Sequence, residues 1–224
     1  IGNTALGHSA LYTNTTGYMN VAIGREALYY NTTGYDNTAV GVGAMYFSTT
    51  GLRNTSTGHS SLFNNTTGSF NTANGMYALS SNGTGNYNTA VGYQTLGSNR
   101  AGDHGTAIGT RAMGNINNSL TTFTNYNVAV GYEALSGSTN AAANTGNNNT
   151  AVGYQTLLNN TSGHENTAIG VFSLNTNTTG IANTAVGQNA LYANTIGKWN
   201  SAFGCQALTN NIDGNSNNAF GLQS

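Results

Sequence analysis

The string Asn-Thr-Ala-Val-Gly returns along the whole chain, and its spacing limits what 224 residues can fold into. With its Asn as position one, units begin at Asn3, Asn20, Asn37, Asn54, Asn71, Asn88, Gly105, Asn127, Asn149, Asn166, Asn183, Asn200 and Asn217. The step is 17 residues except across Gly105–Asn127 and Asn127–Asn149, where it is 22. The idealised unit reads N-T-A-V-G-x-x-A-L-x-x-N-T-T-G-x-x. Gly fills position five from Gly7 to Gly221, and Leu or Met fills position nine from Leu11 to Leu208. Gly also fills position fifteen, except where Thr124 stands beside the first insertion.

Seventeen residues are too few for a helical hairpin repeat, which needs about 34. Gly interrupts nearly every stretch of ten, which disfavours helix. Two strand-sized pieces remain, Thr-Ala-Val and a second through Ala-Leu, each followed by Gly, Asn and Thr turn chemistry. The expected fold is all-β: a parallel β-solenoid, or β-roll, of about twelve 17-residue coils with two strands and two turns each. It reads as a single array over residues 1–224, with insertions near 115–124 and 136–147. Coils stacked about 4.8 Å apart would make a rod of roughly 60 Å. The Asn column at position one is placed to form an amide ladder between coils. No capping element is seen at either end, so the chain reads as a segment of a longer protein, with any export signal or anchor outside it.

Neighbours in a strand point to opposite faces. Position four is mostly apolar (Leu6, Ile23, Val40, Val91, Ile108, Val130, Val152, Ile169, Val186, Phe203 and Phe220), and it is assigned, with the Leu of position nine, to the interior. Position three then faces outward, although it is held at Ala5, Ala22, Ala39, Ala73, Ala90, Ala107, Ala129, Ala151, Ala168, Ala185 and Ala202. A column of methyl groups on an outer face predicts close packing against identical chains. The other reading turns that column inward at a narrow corner.

Composition removes several functions. Charged residues are 5% of the chain, against about 25% in ordinary soluble proteins. Five Lys plus Arg leave no basic face for nucleic acid. No apolar run approaches the roughly 20 residues of a membrane helix, and one Cys, Cys205, allows no internal disulfide. Of six carboxylates, only Glu26 and Asp36 share a unit, at positions seven and seventeen, so no general acid–base pair is expected. Asp103-His104 and His164-Glu165 lie in turns and read as solvated. No metal, cofactor or enzyme activity is expected.

At the Asn-Thr-Ala-Val-Gly column the chain resembles a known family. Asn20-Val21-Ala22-Ile23-Gly24 and Asn127-Val128-Ala129-Val130-Gly131 are similar to the head repeats of trimeric autotransporter adhesins. The strings Asn88 to Leu96 and Asn149 to Leu157 resemble segments of long surface proteins and phage-type tail fibres. The resemblance implies a left-handed, homotrimeric β-roll on a cell surface or virion. It also implies a spacer or adhesive role toward a host-surface protein or glycan. The unit departs from the adhesin pattern in its length and in Thr at position two.

The aromatics at position ten (Tyr12, Tyr29, Tyr46 and Phe63) form a column read as a surface for ligand contact, or as a stack that stabilises the array. Thr pairs such as Thr32-Thr33 raise ice binding as an alternative. The insertions raise carbohydrate binding.

Overall fold

The computed structural model describes residues 2–224. They form an all-β parallel solenoid with a 17-residue repeat and no α-helix among them. Two compact units are present: Ile1–Gly105 with Asn118–Thr124, and Thr106–Asn117 with Asn125–Ser224.

In the first unit the strands are Thr4–Leu6, Val21–Ile23, Thr38–Val40, Thr55–Thr57, Thr72–Asn74 and Thr89–Val91, each pairing with the next in parallel. Register is strict, Ala22 lying opposite Ala39 and Ala39 opposite Ser56. The first insertion adds Phe123–Thr124, which pairs with Gly102–Asp103. In the second unit Thr106–Ile108, Val128–Val130, Thr150–Val152, Thr167–Ile169, Thr184–Val186, Ser201–Phe203 and Asn218–Phe220 pair in the same way. The second insertion holds a short 3-10 turn, Ala141–Ala143. It is pinned by the buried Asn144, whose amide donates to the Asn115 and Ser138 carbonyls.

Each winding has one regular strand, at positions two to four, rather than the two expected. The second piece turns instead of extending, because the residues at positions seven and nine adopt left-handed backbone. Leu and Met of position nine sit at φ 47–54°. That conformation costs a non-glycine residue roughly 1–2 kcal/mol. Two features offset it. The Leu side chain is buried, and the turning backbone still bonds to its neighbours: Leu28 N–H donates to Ala44 O, and Tyr30 N–H to Tyr46 O.

Position nine is buried as expected, but its partner inside is position three rather than position four. Ala22, Ala39, Ala73, Ala90, Ala107, Ala129, Ala151, Ala168, Ala185 and Ala202 are all 0% exposed within the single chain. They share the interior with the buried Leu or Met of position nine and the mostly Ala column of position eight. Positions three and eight meet at Ser56 and Ser61, where both alanines become serine and the two hydroxyls bond to each other. These ten alanines are therefore covered by their own chain and cannot line a contact with another copy; Ala5, in the first winding, is exposed. Position four points outward: Ile23 is 36% exposed and Phe220 70%. A β-branched residue suits a half-exposed strand surface, and Thr57 and Asn74 fit that face at no desolvation cost.

Two asparagine ladders run beside the apolar strip. At position one, Asn37 Nδ2 donates to Asn20 Oδ1 and to Gly51 O, while Asn20 Oδ1 also accepts the Asn37 backbone N–H. At position twelve, Asn82 Nδ2 donates to Asn65 Oδ1 and Gly85 O. Ser48 interrupts this second ladder. Asn31 Oδ1 and Ser48 Oγ are buried without hydrogen-bond partners. Ser48→Asn is expected to restore the ladder and stabilise the chain by about 1–3 kcal/mol, since each unmade buried bond costs that much. A thermal melt checks it, and an unchanged or lower Tm would rule the account out.

Candidate binding surface

With Ala, Leu and Asn turned inward, the outward side chains lie at positions two, four, six, seven, ten, eleven, fourteen, sixteen and seventeen. Strict register makes each of these a column. The structure brings the four aromatics of position ten together. Tyr12–Tyr29, Tyr29–Tyr46 and Tyr46–Phe63 stack with centroids 5.1, 5.1 and 5.2 Å apart. Tyr30 and Phe47 meet them edge-on. Within the row, ring faces are thus occupied by neighbouring rings, and the row ends at Tyr12 on one side and at Phe63, followed by Ser80, on the other. Packing into the row desolvates the half-buried Tyr29 and Tyr46 and, aided by nearby Tyr30 and Glu26, pushes both hydroxyls above their usual pKa.

A second column, at position seventeen, does not stand out in the sequence. In the first unit Asp36 pairs with Arg53 at 3.5 Å, Arg53 lies over Phe70, Phe70 stacks on Tyr87 at 4.9 Å, and Tyr87 stacks on His104 at 5.0 Å. Its signal is a 17-residue spacing of aromatic and charged types, hidden because every member differs. His104 is exposed, as expected of a turn residue, and its ring also stacks on Tyr87. Asp103 likewise holds a neighbour, accepting the Asn86 backbone N–H at 2.6 Å.

The polar groups do not converge for chemistry. Asp36 is engaged by Arg53, and Glu133 by Arg111 at 3.1 Å and Gln155 at 2.8 Å. Among the described residues no group of three or more His, Cys, Asp or Glu could hold a metal, and no helix is long and apolar enough to cross a membrane. In the second unit, an open groove of about 620 Å³ follows positions fourteen and sixteen beside Trp199.

No family model, curated protein or solved structure matches the chain.

Proposed function

We infer that the chain is a structural and adhesive segment of an extracellular fibre, of the cell-surface adhesin or tail-fibre type. The windings serve as a spacer that presents its outward columns to a partner. One observation carries this reading: the Ala, Leu, Gly and Asn that recur along the windings are engaged internally, so outward columns such as positions ten and seventeen vary without altering the scaffold. Stacked repeats of this kind depend only on nearest neighbours, so they extend by simple addition.

Identical copies, in a left-handed homotrimer, are part of the same proposal. With the alanines buried, their contact falls to the outward column at position four. Val130, Val152, Ile169, Val186 and Phe203 form an uncharged apolar stripe there, in register across successive strands. Light scattering is expected to give about three times the 23.0 kDa chain mass. Replacing Val152 and Ile169 by Asp, on exposed or half-exposed positions, should return it to one chain without unfolding it. A wild-type monomer would count against the trimer.

The ice-binding alternative loses ground on geometry. Hydroxyls of Thr15, Thr32, Thr49 and Thr66 donate to the next winding's carbonyl, so half of each Thr pair is committed internally.

A further inference from the structure

Trp199 is the chain's single tryptophan, 58% exposed, on the position-seventeen column of the second unit. Its neighbours along that column are Ala182 and Ser216, one winding to either side. Register is fixed by Trp199 N–H donating to Ile181 O and Ser216 N–H to Lys198 O. All three residues share the same left-handed backbone, Ala182 at φ 53° and the other two at 57°. In the first unit the equivalent positions carry Phe70, Tyr87 and His104, whose rings cover one another. Here the flanking side chains are too short to do so. Trp199 is left with a ring-sized slot on each side, where a stacked ring would otherwise sit.

The groove beside it is lined by the apolar Ile181 and Ile196 and by the polar Lys198, Asp213 and His164. Its volume of about 620 Å³ lies within the roughly 300–1,000 Å³ of ligand sites. We propose that this groove binds a neutral oligosaccharide, one sugar ring stacked on Trp199 and its hydroxyls bonded to Asp213, Lys198 and His164.

Three observations select this ligand class. A pyranose has an apolar face and a polar rim, which an open aromatic face bordered by mixed donors and acceptors complements. Lys198 stands alone as a cation with Asp213 beside it in the lining, so an anionic polymer finds no charge complement. An added peptide strand needs free backbone groups. Here Lys198 N–H donates to Asn215 Oδ1, and Thr179 N–H to Thr195 O. The groove also runs along the stacking direction. From His164 to Asn215 it covers three winding steps, about 14 Å, which suits a short oligomer better than a single sugar.

The proposal rests on the fibre reading and gives its adhesive part a ligand class. The probes are cellotetraose, maltotetraose and chitotetraose, titrated into the whole chain while Trp199 emission is followed, with calorimetry in parallel. At least one should give a saturable change with a dissociation constant on the order of 1 mM or tighter. Ala182→Phe with Ser216→Phe fills both slots with rings that this column already accommodates at Phe70. That variant is expected to keep its circular dichroism and lose affinity by about tenfold or more. Trp199→Ala should abolish the calorimetric signal, and Trp199→Tyr should retain part of it. No saturable response to any of the three sugars, or equal affinity with both slots filled, would overturn the proposal. A trimer that ignores all three sugars would leave the fibre reading standing and sink this one.

Discussion

Gly41→Ala is expected to unfold the winding that carries it and to lower stability by more than about 4 kcal/mol, a loss reached only by a few mechanisms. Two of them act here together. Gly41 sits at φ 139°, a conformation open in practice only to glycine. An added Cβ would also lie 2.5 Å from the Gly58 carbonyl oxygen and 2.7 Å from its carbon. Neither neighbour can yield. Gly41 N–H donates to Ile23 O at 2.8 Å, and Gly58 N–H to Val40 O at 2.8 Å, so both backbones are tied into the ladder. Gly221 separates the two causes. It has a similar φ of 120°, but nothing lies within 4 Å of an added Cβ. Gly221→Ala should therefore cost only the backbone strain, about 1–3 kcal/mol. Denaturant melts of the two variants measure the difference. Equal losses would show that close approach between windings is not what demands glycine at position five.

This contrast explains why the period was legible. Glycine at position five answers a steric demand felt at one residue, and it recurs wherever windings touch. The Asn column at position one was legible for the same reason, because identical amides fall on top of one another. The interior was not. Alternation along Thr38-Ala39-Val40 says that Ala39 and Val40 point apart, but not which points inward. That depends on the lumen's width, which is set by position-nine side chains such as Leu28, Met45 and Leu62 arriving from a turn. Their left-handed backbone, at φ 51°, 53° and 47°, carries no propensity signal. Ser56 and Ser61 carried a hint, since positions three and eight turn polar together in that winding and their hydroxyls bond to each other. The Trp199 slot was equally readable in principle. It depends on Ala182 and Ser216, each 17 residues away, and needs the column alignment rather than any local motif.

Asn71→Ala is expected to cost about 3–5 kcal/mol, because position one works as a relay rather than as a local turn: a lost buried hydrogen bond and the cavity left behind act together. Asn71 is fully buried. Its Oδ1 accepts the Asn88 backbone N–H at 3.0 Å and Asn88 Nδ2 at 3.2 Å. Its Nδ2 donates to Gly85 O at 2.8 Å and to Asn54 Oδ1 at 3.2 Å. Truncation leaves the Gly85 carbonyl with Asn82 Nδ2 and Asn54 Oδ1 with the Asn71 N–H. The Asn88 N–H, however, is left buried without an acceptor. One such orphan costs about 1–3 kcal/mol, and the cavity adds to it. Asn71→Asp tests the direction of the relay. A carboxylate still accepts from Asn88 but turns lone pairs toward Gly85 O and Asn54 Oδ1, and it buries a charge. Both effects raise the folded-state pKa of the new carboxyl above the unfolded value of about 3.9. Its protonated form is then favoured in the fold, so the variant is most stable below that value and loses stability as pH rises toward neutrality. Thermal melts at acid and neutral pH, each referred to wild type, measure this. A penalty independent of pH would mean that Asn71 serves the turn alone and that the windings are not coupled through their amides.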